Sequence, residues 1–240
     1  MEGFIVGGEY AKIVNHAHAA FLHIDCVSRE HFSFGSWSCG ASIINQKSLL
    51  TAAHCLRDCG KQSRIKIHVG SENWQKGQIY DCNRFVIHFN YDPRSSTNDI
   101  CLVQVQSPLT LSRNSSRVAL TRRHMHEETA TVSGWGMFDD SGEMSELLKF
   151  VTQKVMSRIK CIRALSFHAV GVGTICATAE HNDGHAARGD SGSALVVRGY
   201  VQIGIVSYRI TNAKHIAIYT DVCYFYDWIV AVAKELNCIT

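Results

Sequence analysis

The chain has 240 residues, with 24 basic against 21 acidic side chains, 13 histidines, ten cysteines and two prolines. Hydrophobic residues make up 46% and charged residues 19%, against a usual charged share of about 25%; this composition supports a sizeable core and excludes wholesale disorder. A net charge of +3 implies no nucleic-acid partner, and no apolar run approaches the ~18–20 residues that cross a membrane.

The local pattern is one of strands. Ser42 to Thr51, Arg64 to Gly70, Phe85 to His88, Ile100 to Gln106, Thr129 to Gly134, Leu147 to Val155, Ala194 to Val206 and Ala217 to Asp221 are short runs rich in β-branched or aliphatic residues. Between them stand turn-forming clusters such as Gly70-Ser71, Asp92-Pro93-Arg94-Ser95-Ser96, Asp139-Asp140-Ser141-Gly142 and Asn182-Asp183-Gly184. One helix closes the chain. From Tyr226 to Leu236 the apolar residues Trp228, Ile229, Val232 and Leu236 recur near i, i+3, i+4. Many short strands without a repeat favour a β-barrel or sandwich, and the lack of a Gly/Ser/Pro linker argues for two packed β halves.

Ten cysteines point to an oxidising compartment. Cys55 and Cys59 are the closest pair, but no second C-x-x-C or H-x3-5-H follows at zinc spacing, so disulfides are the better reading and no metal is expected. His181 and His185 lack a third acidic ligand. The basic run Arg122, Arg123, His124 and His126 reads as a solvated loop, and Tyr224, Tyr226 and Trp228 as packing residues. Asn114-Ser115-Ser116 is a glycosylation sequon.

Three segments carry chemistry together that none carries alone. In Thr51-Ala52-Ala53-His54-Cys55 a histidine ends an apolar strand; alone it reads as a structural histidine. In Asn98-Asp99-Ile100-Cys101-Leu102-Val103 an aspartate heads a strand expected to be buried; it caps a turn or needs partners that offset its desolvation. In Gly189-Asp190-Ser191-Gly192-Ser193-Ala194 a serine flanked by glycines exposes its hydroxyl and lets backbone N–H groups converge, as acyl transfer requires. A histidine, an aspartate and such a serine in one chain match the parts of a nucleophilic triad.

These segments, with Ile5-Val6-Gly7-Gly8, Ser133-Gly134-Trp135-Gly136 and Gly204-Ile205-Val206-Ser207, resemble the chymotrypsin/trypsin family of serine proteases from residue 5 to the terminal helix, most of all its diverged arthropod (insect) chymotrypsin-like members. The resemblance implies an all-β fold of two packed six-stranded antiparallel Greek-key barrels with a C-terminal α-helix. It sets residues 1–4 apart as a pro-segment remnant or expression tag and makes 5–240 a peptidase domain, with halves at roughly 5–115 and 116–225. It casts Ser191 as nucleophile, His54 as general base and then acid, Asp99 as the carboxylate that orients the imidazole, and the N–H groups of Gly189 and Ser191 as the oxyanion hole. Ser207, Tyr208 and Arg209 would pair with an extended substrate, and Asp190 would receive the ammonium of Ile5 after activation cleavage. Cys39–Cys55 and Cys161–Cys176 would pair, each closing roughly 15 residues for about 3 kcal/mol of chain entropy, and Cys26–Cys59 would join neighbouring loops. Cys82, Cys101, Cys223 and Cys238 stay unassigned, Cys101 as a core thiol.

The sequence departs from the family pattern in four places. Phe4 precedes Ile5 where a trypsin-activated zymogen carries Arg or Lys, so a chain that keeps residues 1–4 is expected to be zymogen-like. His185 stands six residues before the nucleophile, where trypsins are acidic, which argues against Lys or Arg specificity because a buried ammonium would go unpaired. Arg209 and Ala217 occupy pocket walls that are often glycine; with Ala186 and Arg188 they would shape the pocket. Ala187 replaces a common cysteine, and Ser193-Ala194 a common Gly-Pro. The expectation is a secreted serine endopeptidase of non-tryptic specificity with no cofactor. Its partners are protein or peptide substrates, protein protease inhibitors and an activating protease, with no nucleic acid and no membrane. The N-terminus lacks the features of a secretory signal, which is taken as removed or never present. The alternative is a weakly active or inactive protease homologue that acts as a protein-binding module.

Overall fold

The computed structural model describes residues 8–28, 33–137, 144–165, 170–179, 186, 189–210, 213 and 215–238. Strands β2 (Ala19–Val27), β3 (Phe34–Ile43), β4 (Ser48–Thr51), β5 (Arg64–Val69), β6 (Gln78–Ile87) and β7 (Cys101–Val105) close a barrel in the order β2-β3-β4-β7-β6-β5. A second ring joins β9 (Thr129–Gly134), β10 (Lys149–Val155), β11 (Thr174–Ala179), β14 (Ile216–Asp221), β13 (Val201–Arg209) and β12 (Ala194–Val197), closed by the pairing of β9 with both β10 and β12. Every pairing within the rings is antiparallel; the two-residue β8 (Ala119–Leu120) lies outside them and pairs in parallel with β13. These are the two six-stranded barrels implied by the resemblance.

Strand periodicity explains how the barrels pack together. Along β2, Ala20, Leu22, Ile24 and Cys26 point into the first core. The alternate residues Ala19 and Phe21 point the other way, into an apolar seam with Trp135 and Leu148 of the second half. There the Phe21 ring stacks on Trp74 at 4.5 Å and meets Trp135 edge-on at 6.0 Å. By contrast β4 and β7 are buried along their whole length.

The two longest expected runs each turn out to be a hairpin. Ser42 to Thr51 spans the end of β3, a turn and β4; the turn is held by Asn45 Oδ1, which accepts from Lys47 N at 2.8 Å. Ala194 to Val206 spans β12 and most of β13. Its turn needs two successive left-handed residues, Arg198 at φ +55° and Gly199 at φ +76°. Strands β2 and β11 and the helix α1 (Arg158–Leu165) were not expected from the pattern. Their small and mixed residues, such as Ala19-Ala20 and Thr174-Ile175-Cys176-Ala177, carry a weak period-2 signal.

The chain ends cross over between the halves. The short β1 (Glu9–Tyr10) pairs with β10 of the second barrel. The terminal helix α2 (Tyr226–Cys238) lays Ile229, Val232 and Leu236 on the core of the first. Its end is fixed there because Arg84 Nη2 donates to the Leu236 carbonyl at 3.1 Å and Gln104 Nε2 donates to the same oxygen, satisfying a carbonyl that a helix terminus otherwise leaves open.

Disulfides join Cys26–Cys59, Cys39–Cys55 and Cys161–Cys176. Cys82, Cys101 and Cys223 are free thiols. Burial pushes the Cys101 thiol well above its usual value and Cys82 up to about 12, so both stay protonated, Cys101 within the core and the half-buried Cys82 against it. Among the described residues no helix is long and apolar enough to cross a membrane.

Candidate active site

His54 sits on a single 3-10 turn, Ala53–Cys55, that ends β4. The Cys39–Cys55 bridge ties this turn to β3, and Trp37 Nε1 donates to the Cys55 carbonyl at 3.0 Å. Asp99 approaches from the loop before β7. Asn98 turns the chain with φ +56°, a conformation asparagine tolerates better than most residues, and its Nδ2 donates to the Asn90 carbonyl at 2.8 Å. The turn therefore delivers Asp99 to a fixed place.

The two side chains meet closely. His54 Nδ1 lies 2.8 Å from Asp99 Oδ2, and the His54 backbone N–H donates to Asp99 Oδ1 at 2.9 Å. Ser207 Oγ adds a 2.5 Å bond to Oδ2, and Thr220 Oγ1 donates to the Asp99 carbonyl at 2.7 Å. The Asp99 side chain is fully buried and that of His54 is 31% exposed. The carboxylate is thus met by the His54 backbone, the His54 ring and the Ser207 hydroxyl, partners that offset the cost of its desolvation. With a carboxylate acceptor on that side, the imidazole proton belongs on Nδ1, which leaves Nε2 as the unprotonated nitrogen. Burial, with the Asp99 charge, pushes the Tyr91 phenol up to about 12 and raises that of Tyr208. Both rings therefore stay neutral beside the pair.

The serine loop is placed by backbone packing. The Gly40 N–H donates to the Ser191 carbonyl at 2.7 Å, and Cys55 Sγ lies 3.7 Å from the same oxygen. Gly192, at φ +86°, fits where a Cβ would strike Thr51 Oγ1 and the Gly40 carbonyl. Gly192 N and Ser193 N donate to the carbonyls of Val206 and Asp190, each at 2.9 Å. The loop of the second barrel thus rests directly on the β3–β4 end of the first, beside the turn that carries His54. Gly189 has φ +94°, and a Cβ there would meet Met144 Cε at 2.5 Å. Asp190 is buried and accepts from Gly136 N at 2.8 Å.

The remaining predicted residues divide into three groups. Ser207 is buried and spends its hydroxyl on Asp99, a contact outside the substrate-pairing role that the resemblance implies. Thr220, which holds the Asp99 backbone, was also missed; an isolated threonine in an apolar strand gives no sequence signal. Ala186 and Ala217 pack in the core of the second barrel with Val206 and Tyr219. Arg209 pairs in register with Ala217. Burial lowers its guanidinium from the usual value. Ile5, His185 and Arg188 lie outside the described residues.

Two closed barrels, with a buried aspartate–histidine pair on one and a glycine-framed serine loop from the other against it, define the architecture of the trypsin-like serine proteases. The family described as Trypsin matches residues 5–229, and the chain belongs to that family. Trypsin epsilon of Drosophila erecta is 33% identical over 98% of this chain and 90% of its own length. Trypsin alpha-4 of Lucilia cuprina is 33% identical over 84% and 80%. Among solved structures, the scabies mite inactivated protease paralogue S-D1 shares the fold with a TM-score of 0.82 at 22% identity, over 95% of this chain and 97% of its own.

Proposed function

We propose that this chain is a secreted serine endopeptidase that cleaves peptide bonds through an acyl-enzyme on Ser191. The observation that carries the reading is the buried Asp99 carboxylate, held by Ser207 and the His54 backbone and bonded to His54 Nδ1, because it fixes the one tautomer in which Nε2 accepts a proton. Ser191 Oγ attacks the substrate carbonyl carbon as Nε2 takes its proton. The tetrahedral oxyanion is met by the N–H groups of Gly189 and Ser191. His54 then protonates the leaving amine, and water, activated by the same nitrogen, releases the acid and restores the serine.

Activation is assigned to cleavage before Ile5, whose new ammonium would pair with Asp190. A chain that keeps residues 1–4 then has little activity until it is cut. Specificity is assigned away from Lys and Arg. An arginine at position 209 repels a basic side chain approaching that strand, and with His185 in place of an acidic residue it favours an acidic or small P1 residue. Peptide-library profiling of the cleaved enzyme checks this; strong cleavage after Lys or Arg overturns it. The family's peptide chemistry and the three disulfides support a secreted site of action, with protein substrates and protein inhibitors as partners.

A fluorophosphonate probe tests the central claim. The activated protein is expected to be labelled and Ser191→Ala is not, with an unchanged circular dichroism spectrum. If activated wild type resists the probe, the hydrolase reading fails and the binding-module reading takes its place. Arg209, exposed at the end of β13 where relatives often carry glycine, is the feature that favours that second reading.

A further inference from the structure

Along the sequence, His124 and His126 sit in a run of cations with no metal-like spacing. The fold changes their company. This segment lies against the end of β14, where Asp221 closes the strand and Cys223 follows on the turn into α2. His124 Nδ1 stands 3.2 Å from Asp221 Oδ2. Cys223 Sγ completes a group of three donor atoms all within 4.8 Å of one another. The His126 ring stacks parallel to that of His124, 5.7 Å between centroids. Both histidines and Asp221 line a cavity of about 410 Å³, walled also by Met156, Val170 and Tyr224.

Three properties distinguish this group from an ordinary surface ion pair. A tetrahedral zinc ion with ligand bonds of about 2.0–2.3 Å sets its donor atoms roughly 3.3–3.7 Å apart. At 3.2 Å the histidine–aspartate distance is close to that spacing, and the thiol sulfur lies within 4.8 Å of both donors. The Asp221 carboxylate is oriented from behind: its Oδ1 accepts from Cys223 N at 2.9 Å and Tyr224 N at 3.4 Å, leaving Oδ2 to face His124. Such outer support is what metal-binding carboxylates have. Burial is graded, with the Asp221 side chain 8% exposed and that of His124 53% exposed, so an anion largely removed from water faces a donor open to entering ions. The neighbouring Arg122 is engaged elsewhere, by Asp227 at 2.6 Å and the Tyr226 ring at 4.3 Å. The other His/Cys group, around His54, has no comparable donors because Cys39 and Cys55 are bonded to each other.

We propose that His124, Asp221 and Cys223 form a binding site for a zinc-class divalent cation, outside the catalytic centre, with water in the fourth position. Mixed imidazole, carboxylate and thiol donors select such an ion over calcium or magnesium, which prefer oxygen alone. On binding, the Cys223 thiol releases its proton to the solvent and the thiolate bonds the ion.

Cobalt(II) is the probe, titrated into the chelator-treated full-length protein. One equivalent is expected to produce a near-ultraviolet thiolate-to-cobalt charge-transfer band, which zinc then abolishes by displacement. Cys223→Ser should remove the band, and His124→Gln should weaken binding at least about tenfold, the scale seen even for outer-shell changes. On the unaltered protein, zinc should also protect Cys223 from iodoacetamide, read by peptide mass mapping. Absence of both band and protection overturns the site. So does undiminished affinity in both variants, or binding lost in His54→Ala instead, which places the ion at the active site. Cys223 recovered as a disulfide from the native protein overturns it equally.

Discussion

The two barrels hold their parts of the site by different physics. The first presents His54 and Asp99 through side-chain hydrogen bonds, with donors from Ser207 and Thr220 reaching across from the second. The second presents Ser191 through backbone contacts that only glycines permit: Gly192 under Thr51 and the Gly40 carbonyl, Gly189 beside Met144, and Gly136 donating to Asp190. A hydrogen-bonded pair can lose a partner and keep its shape, whereas a close-packed loop cannot gain an atom without moving. Chemistry and stability should therefore separate cleanly between the two halves.

The largest effect expected falls on chemistry alone. In Asp99→Asn an amide replaces the acceptor facing His54 Nδ1, the imidazole turns to its other tautomer, and Nε2 carries the proton it should receive. The kcat of the activated enzyme should fall by about 10⁴, the scale such a tautomer change produces in a serine–histidine–aspartate triad. The thermal midpoint should move little. A variant that keeps its rate would show that the pair does not act as described.

The second barrel should answer the other way. Gly192→Ala forces a Cβ into two atoms of the first barrel at a left-handed φ, and about 3–5 kcal/mol of stability should be lost. Gly199 offers the control: it has nearly the same φ, +76°, but nothing within 4 Å of its Cβ position. Gly199→Ala should cost only the conformational part, about 1–2 kcal/mol. Denaturant midpoints of both variants check this; equal losses would mean that contact with the first barrel is not what Gly192 provides.

This contrast also explains what the sequence disclosed. The residues proposed as a triad could be picked out because each lies in a short motif whose type and order are chemical signals, and the structure brings His54 and Asp99 into contact. The barrels were legible through the buried runs of β4, β7, β13 and β14. The supports were not: Ser207 reads as a strand residue and Thr220 as its neighbour, and only the crossing of β13 and β14 over the Asp99 loop gives them a partner. Likewise, the long runs 42–51 and 194–206 concealed hairpins, because the turn residues Asn45 and Arg198 interrupt apolar stretches too briefly to break the pattern. The basic run at 122–126 looked like solvated surface because Asp221 and Cys223 are almost a hundred positions away.

A third, smaller effect belongs to the seam between the barrels. His16 and His18 precede β2, with rings 6.3 Å apart, and His16 lies 5.4 Å from Phe150 of β10. Burial lowers His16 from 6.5 to about 4; burial, and then the His16 charge, lower His18 to about 3. Both are neutral in the folded state, so as the pH falls below 6.5 the unfolded chain takes up protons first. Stability from this source is full above about pH 6.5 and decreases down to about pH 4 for His16 and about pH 3 for His18, by roughly 2 kcal/mol per histidine at pH 5. Replacing both with phenylalanine or glutamine should flatten the acid limb of a stability–pH curve; an unchanged limb would assign acid sensitivity elsewhere.

The smallest effect is the sharpest test of the comparison, because it removes a second-barrel support from a first-barrel residue. Ser207→Ala deletes one of the three donors to the Asp99 carboxylate and leaves the bonds from His54 Nδ1 and N in place. A hydrogen bond to a buried charge contributes about 1.5–3 kcal/mol, so kcat should fall by roughly 10- to 150-fold, far less than in Asp99→Asn. The pH profile should shift with it. A carboxylate with fewer donors is a more avid acceptor for the imidazole proton and stabilises the imidazolium, so the acid limb of kcat/KM should move to higher pH. Loss of rate without that shift would mean that Ser207 acts through packing alone. A drop as deep as that of Asp99→Asn would mean that the crossing strand, rather than the His54 backbone, is what fixes the aspartate.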